Sequence, residues 1–386
     1  MKLYRIQQNL LILILLLIPF VSIGEVSTLI HGELLPETVG SGSIVFMKWL
    51  KDIILICIIL IGIFINLGLN FRRKYILVFL ILSLSVAPSI IMSVNSSFIA
   101  IASGIRWLLP VFLVFFISSA VSYKFITFLT KILIGIFFVH FSFQWIEFFF
   151  AEPWYGINRF GFSNRNPGVF LIPNTGAFFT LNCLYFIVFL SKFSFSLKIF
   201  FIFLSFISVI LTLSGTGLIL LLILTFFFFF KKRYSKYFIY LFILFFIFLF
   251  LGISAFESRG SDYINISGGE RLNIVHDIFV NASMFSDKFG QGTNTAFILG
   301  VGYILDSLYA SLIFNLGWFG FIGILLPFIL FLLKSCLLKD ISLFVFLLFY
   351  SLYSFTTISF EVYPVNIIFA ILISFFWKNV NKKKYY

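Results

Sequence analysis

Apolar stretches long enough to cross a bilayer follow one another along nearly the whole chain. They are interrupted by one long polar interval, Gly252 to Asp306, and a shorter one, Glu152 to Pro167. A helix in hydrocarbon needs about 20 mostly apolar residues, because it must satisfy its own backbone hydrogen bonds there. With 61% hydrophobic and 11% charged residues, the chain lacks the polar surface of a soluble domain. The pattern predicts an all-α, polytopic integral membrane protein. Spans are expected near 9–24, 52–70, 75–92, 97–120, 132–150, 169–190, 199–213, 217–230, 237–253, 306–333, 340–358 and 362–377, about twelve in all. No period-two alternation of a barrel strand is present. The pair flanking Ser214-Gly215-Thr216-Gly217 reads either as two tilted spans or as one kinked helix with a re-entrant turn. The 60 Phe residues read as lipid-facing bulk.

Charge orients the spans, since Lys and Arg gather on the cytoplasmic side. With the N-terminus inside, nineteen of the 27 basic residues fall in inner loops, and of the 14 acidic residues only Asp340 does. Both termini are then expected in the cytoplasm. A single transmembrane domain, 1–386, would carry two outer loops, 151–168 and 254–305. The net charge of +13 is an orientation signal spread over separate short loops, which argues against a nucleic-acid partner. Residues 1–24 resemble a signal peptide, but Val21-Ser22-Ile23-Gly24 is a poor cleavage site, so the first span is expected to be retained.

Cys57, Cys183 and Cys336 lie in or beside spans without paired spacing, and His31, His140 and His276 lie on different segments. Neither a disulfide framework nor a metal site is implied, and no nucleotide or cofactor motif is present. Any reaction on the outer face would draw on energy stored in its substrate. Arg159 and Arg165 in the first loop, and Arg259 and Arg271 in the second, run against the inward bias of basic residues. Guanidinium forks bind phosphate oxygens bidentately, so these arginines suggest an anionic, lipid-linked substrate; the plain alternative is solvated loop charge near lipid headgroups. Arg106 is placed inside a span, where a central Arg costs roughly 2.5–3.5 kcal/mol on insertion scales. It either faces a polar cavity or snorkels to the outer interface. Residues 270–282 read as an interfacial amphipathic helix, with Leu272, Val275 and Phe279 on one face.

The run Asn158-Arg159-Phe160-Gly161-Phe162-Ser163-Asn164-Arg165-Asn166-Pro167, followed by Pro173-Asn174-Thr175-Gly176, resembles the first large periplasmic loop of O-antigen polymerases. Arg165 to Gly176 fits that family's Arg-x10-Gly pattern. Leu213-Ser214-Gly215-Thr216-Gly217 occupies the place where the family often has a Ser-Arg pair, and here the Arg is missing. Gly268-Gly269-Glu270-Arg271 and Phe289-Gly290-Gln291-Gly292 are similar to its second loop, with a longer spacing from Arg271 to Gly290. Asp306-Ser307-Leu308-Tyr309 and Asn315-Leu316-Gly317-Trp318-Phe319-Gly320 resemble its re-entry into the membrane. The likeness covers about residues 97–333.

The resemblance implies a fold like the C-type membrane glycosyltransferases, in the bacterial inner membrane, with a periplasmic active site and no cofactor. The implied reaction moves a growing glycan from undecaprenyl pyrophosphate onto the terminal sugar of another lipid-linked repeat unit. Arg159, Arg165 and Arg271 would hold the leaving pyrophosphate, and Glu270 or Asp306 would take the acceptor's proton. Arg106, Arg259, Asn174, Gly176, Gly290, Gly292 and Tyr309 would surround the substrate. The implied partners are the lipid-linked oligosaccharide and polysaccharide, membrane lipid and, from the family alone, a chain-length regulator. Ligases of the superfamily typically present a His at the re-entry point, where this chain has Leu305 and Asp306. That favours polymerase over ligase, with a lipid-linked oligosaccharide flippase as the other alternative. Pro110, Pro327 and Pro364 are expected to kink or cap spans, and Gly215, Gly217, Gly317 and Gly320 to allow turns or close helix approach.

Overall fold

The computed structural model describes residues 2–21, 42–67, 80–84, 87, 112–117, 120–150, 165–170, 173–230, 307–337, 340–356 and 362–380. Its main elements are α1 (Lys2–Leu16), α2 (Gly42–Leu67), α3 (Tyr123–Phe150), α4 (Pro173–Tyr185, continued by a π-helical turn Phe186–Leu190), α5 (Phe195–Thr212), α6 (Gly215–Phe230), α7 (Leu308–Leu337), α8 (Ile341–Ser354) and α9 (Val365–Val380). No strand occurs among the described residues. Four segments are long and apolar enough to cross a membrane: Tyr123–Phe149, Pro173–Leu190, Phe195–Thr212 and Leu316–Leu337. This is the all-helical character that the apolar runs predict, in a membrane protein. The expected spans near 75–92, 97–120 and 237–253 lie largely or wholly outside the described residues, as do most of the first outer loop and all of the second.

The described helices gather into two compact units. The first holds α1, nearly all of α2, α3 to α6 and the C-terminal end of α9. Its centre is α4, on which α3, α5 and α6 all pack. Every side chain from Thr175 to Leu190 is buried, as expected of a helix surrounded by protein on all sides. Two glycines allow that density. An added Cβ at Gly217 would come within 2.8 Å of the Ala177 Cβ, so α6 crosses α4 where neither helix has bulk. Gly176 plays the corresponding part for the loop before α4.

The junction after α5 separates two helices. Leu213 takes a left-handed conformation (φ 48°, ψ 42°) and ends α5, and the Ser214 hydroxyl accepts from Gly217 N (3.1 Å) to cap α6. Phe195, at the start of α5, stacks on Phe228 and meets Phe229 edge-on, at centroid distances of 6.0 and 6.1 Å near the end of α6. The two helices are therefore an antiparallel hairpin. At the opposite end of α5 lies Lys198. It is buried on the helix and donates from Nζ to Val188 O (2.9 Å) and Ser191 O (3.1 Å), closing the π turn of α4.

The second unit holds α7, α8 and the remainder of α9. Gly317 (φ 66°, ψ −178°) breaks α7, a backbone region that essentially only glycine occupies. Pro327 lies farther along α7 without a comparable break. Tyr350 Oη donates to Val365 O (3.3 Å), and Phe346 and Phe328 pack on Phe369, joining all three helices. Pro364 immediately precedes α9, and its carbonyl accepts from Ile367 N and Ile368 N (both 3.1 Å).

Candidate functional site

One corner of the first unit concentrates polar side chains in an otherwise apolar bundle. It is built from the short strap 165–170, the first turn of α4 and the α5–α6 turn. Arg165 lays its guanidinium across the end of α5, donating from Nε to Thr212 O (3.1 Å) and from Nη2 to Leu213 O (3.5 Å) and Asn174 Oδ1 (3.4 Å). Asn174 Oδ1 also accepts from the Ser214 hydroxyl (2.9 Å). The Asn174–Ser214 bond brings the first turns of α4 and α6 together. Each helix start carries partial positive charge from its unpaired N–H groups, and Arg165 adds a full charge beside them. The C-terminal carbonyls of α5 hold that charge in place and offset part of it. Arg165 and Asn174 are half-buried, so the corner is open on one side.

The strap is held from below by α3. His140, Gln144 and Glu147 recur at helical spacing and are all buried. Gln144 Nε2 donates to Asn166 O (3.3 Å) and to Ser208 O (3.2 Å) on α5, and its Oε1 accepts from the Ser208 hydroxyl (2.7 Å). Glu147 Oε2 accepts from Gly168 N (2.8 Å). Asn166 N donates to Leu211 O (2.9 Å). Gly168 is left-handed at φ 65°, and a Cβ there would lie 2.5 Å from His140 Nδ1. His140 packs edge-on against Phe170 and Phe179, at centroid distances of 5.1 and 6.0 Å, and neither ring nitrogen has a hydrogen-bond partner among the described residues.

Of the residues expected at the site, Arg165, Asn174 and Gly176 are brought together here. Gly176 is buried and faces inward, where a Cβ would meet Pro167 O at 2.9 Å and His140 Cε1 at 3.1 Å. Its place is to admit the strap, and the Arg165-to-Gly176 spacing thus has a packing reason. Tyr309 belongs to the second unit, where its hydroxyl donates to Ser351 O (3.0 Å) and its ring packs on Phe355. Arg106, Arg159, Arg259, Glu270, Arg271, Gly290, Gly292 and Asp306 lie outside the described residues. Among the described residues no group of His, Cys, Asp or Glu is placed to hold a metal.

Two contributors escaped the sequence reading. Glu147 lies in the expected span 132–150, yet Arg106 was the only charge assigned to a span interior. The available signal was a carboxylate in a long apolar run, which is costly unless something pairs with it. Ser208 looks like an unremarkable hydroxyl in an apolar helix, and only the tertiary contact to Gln144 gives it a role. No protein-family model, curated protein or solved structure matches this chain.

Proposed function

We propose that this chain is a bacterial inner-membrane polymerase of surface polysaccharide. It transfers a growing glycan from undecaprenyl pyrophosphate to the terminal sugar of a second lipid-linked repeat unit on the periplasmic face. In this reading about twelve spans bring both termini to the cytoplasm, and the loops 151–168 and 254–305 lie over the site. The observation that carries the proposal is the convergence of Arg165 with the starts of α4 and α6, because a half-open cationic corner beside helix N-termini suits a pyrophosphate. Arg159 and Arg271 would complete the clamp, and Glu270 or Asp306 would act as general base. The chemistry balances without a further reactant: the anomeric C–O bond to pyrophosphate breaks, the acceptor oxygen bonds to that carbon, and the acceptor proton passes to a carboxylate.

Deleting the gene and examining the surface glycan tests the proposal. Loss of the polymer ladder, leaving a single repeat unit on the lipid core, is the expected result. Full-length polymer accumulating on its carrier would instead identify a ligase, and unexported single units on the cytoplasmic leaflet a flippase. At residue level, Arg165→Ala should abolish the ladder, and Arg165→Lys should shorten it, since an ammonium lacks the bidentate fork. A normal ladder in both, at normal protein amounts, removes Arg165 from the mechanism.

A further inference from the structure

We infer that Glu147 is a positioning residue that sets the strap 165–168, and through it Arg165. The link from this placement to glycan transfer rests on the polymerase reading, while the placement itself does not. A carboxylate buried in a membrane-length helix carries a heavy desolvation penalty, so its retention calls for a specific partner. Glu147 Oε2 receives Gly168 N–H at 2.8 Å, a hydrogen bond strengthened by its low-dielectric setting.

Gly168 is a good place to apply such a hold. Its left-handed backbone and its contact with His140 leave no room for a side chain, so the strap passes this point in one conformation. Gln144, one turn earlier on the same helix, grips Asn166 O, and Asn166 N is tied to Leu211 O. Ties at residues 165, 166 and 168 thus fix the strap to α5 on one side and to α3 on the other. Hydrogen bonds to Thr212 O and Leu213 O alone would let Arg165 swing with a loose strap. The ties at Asn166 and the Glu147 anchor at Gly168 together remove that freedom, which is what presenting a fixed guanidinium to a phosphate requires.

The test reads strap position without reference to glycan chemistry. In a chain with Cys57, Cys183 and Cys336 replaced by Ala, Asn166→Cys is labelled in native membranes with a water-soluble maleimide and normalised to labelling after denaturation. Asn166 is 7% exposed, so the parent should react slowly. Glu147→Leu fills the same space without an acceptor, and Glu147→Asp keeps the carboxyl but is one methylene short. Both should accelerate labelling about tenfold or more, the population change expected when a buried hydrogen bond is lost and its donor is left unsatisfied. Glu147→Gln retains an acceptor oxygen and should stay within about threefold of the parent. Slow labelling in Glu147→Leu would show that the side chain only fills space and would overturn the inference, as would fast labelling in Glu147→Gln equal to that in Leu. If Leu accumulates poorly, the Asp and Gln pair decides by the same rule. Fast labelling in Leu and Asp with an unchanged glycan ladder would uphold the strap assignment and count against the polymerase reading.

Discussion

Replacing Gly176 with Ala puts two opposed effects in one position. In a helix interior Ala is favoured over Gly by up to about 1 kcal/mol. Against this, the new methyl would lie 2.9 Å from Pro167 O and 3.1 Å from His140 Cε1. The imidazole cannot retreat, because Phe170 and Phe179 close around it and Gly168 abuts its other side. The Pro167 carbonyl is backbone and moves only with the strap that Glu147, Gln144 and Leu211 tie down. Overpacking of this kind costs about 1–3 kcal/mol, so the substitution should destabilise by about 1 kcal/mol net and displace Arg165. Unfolding of the purified protein in mixed detergent micelles reads the first quantity, and maleimide labelling at Asn166→Cys reads the second. A variant more stable than the parent, with unchanged labelling, would refute the idea that Gly176 exists to admit the strap.

Gly317→Ala should destabilise by about 1–3 kcal/mol or more, since φ 66° with ψ −178° excludes a Cβ; an unshifted unfolding midpoint would mean the break in α7 is not obligatory. Lys198→Met keeps the apolar stem but leaves Val188 O and Ser191 O without their ammonium donor, and should cost about 1–3 kcal/mol in the same unfolding assay.

Helical class was legible because backbone satisfaction in lipid leaves few choices, and the α5–α6 break was marked by Ser214 and Gly215. The start of α4 at Pro173 was likewise signalled, since proline suits a first helical turn. Other boundaries were missed for identifiable reasons. The helix α3 begins at Tyr123, about two turns before Lys131, because Phe125, Ile126 and Leu129 already pack into the core there and Lys124 and Lys131 do not interrupt the helix. Lys198 was assigned to a loop because charge is read as solvated, whereas here its stem is packed and its head completes the end of another helix. At the site, the Arg165-to-Gly176 spacing was visible but its meaning was not. Spacing cannot reveal that a carbonyl from one segment presses on the bare Cα of another. Glu147 stood out as a carboxylate in an apolar run, but its partner did not, because it is a backbone N–H supplied by a loop 21 residues away.

The burial of α4 from Thr175 onward also bears on how the chain is made. Among the four membrane-length segments it is the least apolar, and Thr180 and Asn182 lie along it. A nascent chain that has emerged only as far as Leu190 has neither Ser208 to meet Thr180 nor α5 and α6 to cover the remaining sides. This helix can therefore reach its packed state only once the hairpin behind it has been made.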